Sequence, residues 1–327
     1  MESRKALIRF HGITVIIGFL LLLFKFLAYF STHSNAILTD ALESIVNVVA
    51  GSLAWYSLWL STKPKDHEHP YGHGKVEFIS ASVEGSLIGI AGLIIVGKSA
   101  YNFFVPQEIH SLDLGLYITA GAGLVNFLLG YYLVVKGKRE KSLAIQANGE
   151  HLKSDAYSSL GLVIGLGLVL LTGSLWIDNA MGLLFGGLIL FQGLKILRRS
   201  IAGIMDEADF ELLEEIVTLL DKEKKDNWID IHNLRVIKYG HHLHIDCHVT
   251  LPWYYSLQEA HDIISEMDKV IQSNYDQVEL FIHMDPCIEL SCRICPLECK
   301  ERKHPFEERL DWTLKRSLAN QKHAYSD

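Results

Sequence analysis

"ALESIVNVVAG", residues 41–51, lies within a long apolar run, yet it sets Glu43 and Asn47 four positions apart. In an α-helix, residues i and i+4 share one face, so a carboxylate and an amide project together from a segment otherwise suited to lipid. A second apolar run repeats the device: "HLKSD", residues 151–155, spaces His151 and Asp155 in the same way. An ionisable group at membrane depth costs roughly 2.5 kcal/mol or more, so it faces a cavity or a partner and marks a functional site. If the two faces meet, two carboxylates, one imidazole and one amide oxygen converge, a donor set for a four-coordinate divalent cation without any thiolate. Asp40, a turn before Glu43, reads either as a supporting partner of that set or as a helix-entry residue.

Outward from these pairs, the chain offers six apolar stretches of membrane-spanning size, at about residues 8–30, 37–61, 76–104, 114–135, 146–172 and 176–198. Basic residues fall on one side only. Arg4, Lys5 and Arg9 precede the first stretch, Lys63, Lys65 and Lys75 follow the second, Lys136, Lys138, Arg139 and Lys141 follow the fourth, and Lys195, Arg198 and Arg199 end the sixth. The alternate connections, near residues 31–36, 105–113 and 173–178, carry no Lys or Arg. Short cytoplasmic loops retain basic residues, so both termini are expected in the cytoplasm. The basic first ten residues are followed by no small-residue cleavage site, and the first stretch is expected to remain as a span.

The charge of the 327-residue chain is divided unevenly. Residues 1–204 hold 16 Lys and Arg against 13 Asp and Glu, a net of +3, whereas residues 205–327 hold 14 against 25, a net of −11. An acidic tail of that size disfavours a nucleic-acid partner and suits cations. The expected organisation is a six-span transport domain (1–204), a cytoplasmic dimerisation and metal-binding domain (205–286) and a cysteine-rich extension (287–327).

Between the second and third spans, "KPKDHEHPYGHGKVE" gathers Asp66, His67, His69 and His73 within eight residues. Pro70, Gly72 and Gly74 break helix there and let those side chains converge, which suits metal capture at the cytoplasmic mouth. In the tail, "DFELLEEIVTLLDKEKK" has helical amphipathicity, "IHNLRVIKYG" and "HHLHIDCHVTL" alternate like strands, "SLQEAHDIISEMDKVIQSNY" is a second helix and "QVELFIHMD" a third strand. The order α-β-β-α-β fits a small α+β open-faced sandwich.

Together, "LTDALESIVN", "DHEHPYGHGKVE" and "HLKSD", in this order, resemble the cation diffusion facilitator family, most closely its bacterial zinc and iron efflux branch. The resemblance covers nearly the whole chain to about residue 287. It implies an α-helical membrane protein with six transmembrane helices and a metallochaperone-like cytoplasmic domain. It further implies a homodimer in the bacterial inner membrane that exports a divalent cation in exchange for protons. The implied transport site is Glu43, Asn47, His151 and Asp155, and the implied loop site is Asp66, His69 and His73, with His67 unmatched. In the tail, the resemblance implies metal ligation by His232, His248, His261, His283 and Asp285 and tightening of the dimer.

The sequence departs from the family at one position of weight. Zinc exporters typically carry Asp or His first and Asp second in the second-span pair, where this chain has Glu43 and Asn47. Asn47 removes one negative charge and supplies a harder, weaker oxygen, which moves the balance from zinc alone toward Fe(II), Mn(II) or Co(II), while His151 favours zinc, cobalt and ferrous iron over manganese, and Cd(II) is a further possible cargo. Zn(II) stays the favoured cargo. An imidazole binds metal only when neutral, so protonation and metal compete at His151, and protons are the expected counter-ion.

All five cysteines lie in the tail, and Cys287, Cys292, Cys295 and Cys299 stand within thirteen residues. Their gaps of four, two and three residues suit one tetrahedral zinc. The first two gaps also suit a plant-type iron–sulfur run, and free or redox-active thiols are the third possibility. Other function classes fit less well. A metal-dependent membrane hydrolase lacks any nucleophile elbow, HExxH or phosphate-binding loop in this chain, and a non-transporting metal sensor leaves the intramembrane quartet without a purpose.

Overall fold

The computed structural model describes residues 2–32, 35–104, 113–172, 176–240, 242–275 and 277–322. Within the helices some side chains lie outside the described set, among them Asp40 and Glu43. The chain divides into two units, Met1–Met205 and Asp206–Asp327.

The first unit holds six long helices: α1 (Glu2–Thr32), α2 (Asn35–Ser61), α3 (Val76–Phe104), α4 (Asp113–Arg139), α5 (Leu143–Thr172) and α6 (Trp176–Ile204). Each has 27–31 residues, enough at about 1.5 Å per residue to cross a hydrocarbon core. They run past the expected spans at several ends, because helical hydrogen bonding continues where apolarity stops. Among the described residues, Val76–Phe104 and Ala120–Arg139 meet a strict test of length and apolarity.

Glycine sets the packing of two helix pairs. A Cβ at Gly92 of α3 would stand 2.5 Å from the Leu190 nitrogen of α6. On the facing side, a Cβ at Gly193 would stand 2.4 Å from the Gly89 nitrogen. Backbones this close tolerate no side chain, and such small-residue seams are how membrane helices gain dispersion contact without a hydrophobic driving force. α4 and α5 meet in the same way at Gly130 and Gly149. That seam fixes the helix that carries His151 and Asp155.

Polar groups tie the helix ends together. The fully buried Glu77 of α3 accepts hydrogen bonds from Ser61 Oγ, at the end of α2, at 2.8 Å, and from Ser142 Oγ just before α5. Toward the same end of α2, Trp55 Nε1 donates to the Ile8 carbonyl of α1 at 3.1 Å.

The second unit has the order α7 (Phe210–Lys222), β1 (Asp230–Tyr239), β2 (His242–Leu251), α8 (Leu257–Asn274), β3 (Val278–Pro286), a 3-10 turn (Glu289–Arg293) and α9 (Leu314–Leu318). The strands lie in the order β1-β2-β3, with β1 and β2 antiparallel and β2 and β3 parallel, so α8 is the crossover. Asp209 caps α7 by accepting from Leu212 N–H at 3.1 Å, and Ser256 with Glu259 forms a capping box on α8. One face of the sheet buries Ile231, Ile245 and Val249 against Leu213, Ile216 and Met267 of the two helices.

The extension after residue 286 packs into this same unit. Trp312 lies in its core, stacked on Trp228 with ring centroids 6.5 Å apart, and its backbone N–H donates to Asp221 Oδ1 at 2.9 Å.

Candidate metal centres

Within the helical unit, Asn47 of α2 stands between two groups of α5. His151 Nε2 lies 2.7 Å from Asn47 Oδ1, and Asn47 Nδ2 donates to Asp155 Oδ2. The i,i+4 spacing on α5 delivers the imidazole and the carboxylate one turn apart, and the amide of the neighbouring helix spans that gap. His151 is buried. An imidazole nitrogen, an amide oxygen and a carboxylate oxygen thus share one interhelical space, the hard-to-borderline donors that suit a divalent transition ion. Glu43 stands one turn from Asn47 on α2, and its side chain, like that of Asp40, lies outside the described residues.

A cavity adjoins this cluster, lined among others by Thr14, Ser44, Asn47, Asn126 and Asn148. The sequence reading assigns polar residues to the second and fifth spans alone, and the structure adds the third. Glu84 of α3 is fully buried and accepts a hydrogen bond from Asn148 Nδ2 of α5 at 3.1 Å. His11 of α1 is buried too, with Nε2 3.2 Å from the Gly51 carbonyl. Glu84 was detectable as a carboxylate well inside an apolar stretch. Its partner is 64 positions away on another helix, and no local spacing announces it.

The loop after α2 gathers three candidate ligands of two types, a carboxylate and two imidazoles. Asp66, His69 and His73 bring one potential ligand atom each within 4.8 Å of one another. Asp66 Oδ1 lies 3.1 Å from His69 Nδ1, and Asp66 Oδ2 lies 3.4 Å from His73 Nε2. Gly72 holds a left-handed φ of 88°, and its N–H donates to the His69 carbonyl at 2.9 Å, the turn that folds the histidines toward the aspartate. The His69 amide, followed by its ring, holds the Asp66 carboxyl below its ordinary value, so it is anionic and ready for a cation. His67 is exposed and belongs to no such group among the described residues.

In the second unit, strand register builds the centre. His232 of β1 pairs with His248 of β2, and His248 pairs with His283 of β3, so three histidines stand in a row across the sheet. Asp285 lies two residues beyond His283 on the same face. Its Oδ2 is 3.2 Å from His232 Nε2 and 3.1 Å from His248 Nδ1, and these three residues bring one potential ligand atom each within 4.8 Å of one another. Partial burial pushes the Asp285 carboxyl up, but hydrogen bonds from Lys322 and His248 outweigh burial and hold it below its ordinary value. His283 borders the group at 3.7 Å from Asp285 Oδ1 and is largely exposed. His261 lies exposed on α8 and joins no group among the described residues. The resemblance-based set of five therefore separates into three convergent ligands, one neighbour and one residue elsewhere.

The cysteines are all free thiols. Cys247 is core, and burial pushes it up to about 12, an inert thiol. Around the 3-10 turn, the Arg302 guanidinium donates to the carbonyls of Cys292 at 2.6 Å, Cys295 at 2.8 Å and Leu297 at 2.5 Å. Amide N–H groups of Trp253 and Lys303 donate to Cys287 Sγ at 3.4 Å and to Cys292 Sγ at 3.5 Å. Among the described residues, no three of the sulfurs of Cys287, Cys292, Cys295 and Cys299 come within 4.8 Å of one another.

A bundle of long, largely apolar helices with convergent nitrogen and oxygen donors inside it, joined to a small α+β domain with a His/Asp cluster, defines a class: membrane transporters of metal cations. The profile of the cation efflux transmembrane domain matches residues 13–205, and that of the cation efflux protein cytoplasmic domain matches residues 208–287. The chain belongs to the cation efflux, or cation diffusion facilitator, family. It is a transporter of divalent metal cations and not an enzyme. An uncharacterized transporter of Synechocystis is 30% identical over 79% of this chain and 84% of its own length. The manganese efflux system protein MneP of Bacillus subtilis is 27% identical over 78% of this chain and 88% of its own, and a cation-efflux pump FieF of Pectobacterium carotovorum is 24% identical over 83% and 89%.

Proposed function

We propose that this chain is a homodimeric, proton-coupled exporter of a divalent transition-metal cation, with six spans in a bacterial inner membrane and both termini in the cytoplasm. The observation that carries the reading is the convergence of Asn47, His151 and Asp155 between α2 and α5. Glu43 completes the site from the next turn of α2 and supplies the second negative charge that a divalent ion needs in a low-dielectric setting. Zn(II) is the favoured cargo, and Fe(II), Co(II), Mn(II) and Cd(II) are the competing ones. The manganese named for MneP supports keeping Mn(II) in that set.

Coupling follows from the ligands. A proton on His151 removes the lone pair a metal uses, so loading from the cytoplasm releases protons, and reprotonation from outside displaces the ion and resets the empty site. In proteoliposomes, an imposed pH gradient is expected to drive Zn(II) movement with counter-movement of protons. Zn(II) movement that ignores the gradient and shifts no protons overturns the antiport reading.

The loop ligands Asp66, His69 and His73 take part by collecting cytosolic metal. The tail ligands regulate by binding metal beside the dimer contact, for which the β3 edge with exposed Phe281 is suited.

For the cysteine segment we propose a thiolate metal site, supported by the two N–H···S bonds and by the Arg302 fork that holds the loop around them. Elemental analysis of the purified protein is expected to find about one zinc per chain more in the wild type than in Cys292→Ser or Cys295→Ser. Equal zinc in all three sinks the proposal. Iron with visible absorption identifies a cluster in its place.

A further inference from the structure

The C-terminal segment brings a cation of its own to the tail centre. Lys322 Nζ lies 2.9 Å from Asp285 Oδ1 and 3.5 Å from the Pro286 carbonyl. We propose that the Lys322 ammonium is a tethered competitor for the metal at His232, His248 and Asp285, so that metal binding there is weakened by, and coupled to release of, the segment that carries Lys322. The inference rests on the metal reading of that centre.

Asp285 is the carboxylate that meets His232, His248, His283 and Lys322, while Asp230 Oδ2 lies 3.3 Å from the other ring nitrogen of His232. Asp285 Oδ2 faces two imidazoles, at 3.2 and 3.1 Å, while its Oδ1 faces Lys322 and, at 3.7 Å, His283. A divalent ion on Oδ2 therefore meets a unit positive charge across a single carboxylate, and an ion held by both oxygens, or by Oδ1 and His283, needs the place that Lys322 fills. An ammonium is a compact charge on a flexible stem, able to satisfy a carboxylate without fixing its geometry and able to leave. Its carboxylate partner is largely buried, which screens the repulsion less than at an open surface.

A second contact of the same segment reaches the other side of the centre. Asn233 follows His232 directly, sits where the β1–β2 register shifts, and holds a left-handed φ of 53°. Its N–H donates to the Ala319 carbonyl at 2.7 Å. The segment is anchored upstream by Trp312 and α9, so Ala319 and Lys322 lie on a short tether that touches the neighbour of one ligand and the side chain of another. Movement of His232 or Asp285 onto a metal then pulls on both contacts at once. Lys322 lies beyond the matched domain, which ends at residue 287, so the device is particular to chains that carry this extension.

The test is a Zn(II) titration of the full-length protein in detergent, read by hydrogen exchange in the peptides that contain Asn233 and Asp285. These report the tail centre separately from the membrane and loop sites. In the wild type, zinc is expected to protect the Asp285 peptide while exchange at the Asn233 peptide rises as Ala319 lets go. Lys322→Gln, with Lys322→Met as a second uncharged variant, is expected to move the zinc midpoint about five-fold lower, the ratio that corresponds to about 1 kcal/mol. Lys322→Arg is expected to keep the wild-type midpoint. An unchanged midpoint in both uncharged variants overturns the inference, as does zinc protection at Asp285 with no change at Asn233. Absence of any zinc effect on either peptide, in wild type and variants alike, overturns the metal reading of the centre itself.

Discussion

Asp155→Ala is expected to lower metal efflux by about 100-fold or more while leaving the protein folded in the membrane. Asp155 is the charged member of the described cluster and accepts from the Asn47 amide. In the proposed site its removal leaves a divalent ion one negative charge short, in a setting where an uncompensated charge costs several kcal/mol. The helix itself does not depend on this side chain. α5 is held to α4 by the close approach at Gly130 and Gly149, so the loss falls on transport and not on assembly. Zn(II) efflux from everted vesicles, normalised to folded protein by size-exclusion fluorescence, gives the measurement. Transport within a few-fold of wild type removes Asp155 from the site.

Asn47→Asp is expected to change which metal is carried. Asn47 now acts as a neutral bridge, with its oxygen beside His151 Nε2 at 2.7 Å and its NH2 group donating to Asp155. An aspartate turns that donated hydrogen bond into a contact between two carboxylates, which repel until a cation or a proton is shared between them. The empty site is destabilised, the loaded site gains a charge, and the preference moves toward the stronger Lewis acid. Zn(II) is expected to gain about 10-fold over Mn(II) in a competition panel of Zn(II), Fe(II), Mn(II), Co(II) and Cd(II), scored against the wild type in the same vesicles. An identical ranking in the two proteins shows that the metal is chosen elsewhere. The same substitution is expected to steepen the dependence of transport on pH, because a second carboxylate gives the returning proton another place to bind.

Both predictions start from features visible in the chain as written. The i,i+4 spacing of His151 and Asp155 and of Glu43 and Asn47 needs nothing but helical periodicity, and apolar length with one-sided basic loops suffices to outline six helices. The tail was also legible: alternation and amphipathicity place β1, β2, α8 and β3 within one residue of where they lie, and α7 within three. Asp66, His69 and His73 were near each other already, eight residues with a glycine at the turn.

Other relations were not legible, because they join residues whose separation in sequence carries no period. Glu84 meets Asn148 across two helices, and the reason is the packing of α3 against α5, not any spacing within either. The partition of the five tail ligands was likewise hidden. Sequence order lists His232, His248, His261, His283 and Asp285 as equals, whereas strand register lines up His232, His248 and His283 and leaves His261 on a helix.

By itself, then, the sequence determined the helices, the strands, and which faces carry oxygen and nitrogen donors, since these follow from local periodicity and from the cost of placing polar atoms among apolar ones. Only the tertiary structure decided which faces meet: Asn47 with His151 and Asp155, Glu84 with Asn148, and Lys322 with Asp285. Those meetings depend on glycine seams that let backbones touch, on the register of three strands, and on a C-terminal segment folded back onto the sheet. Each is a long-range choice, made by the packing energy of the whole unit and not by any stretch of it.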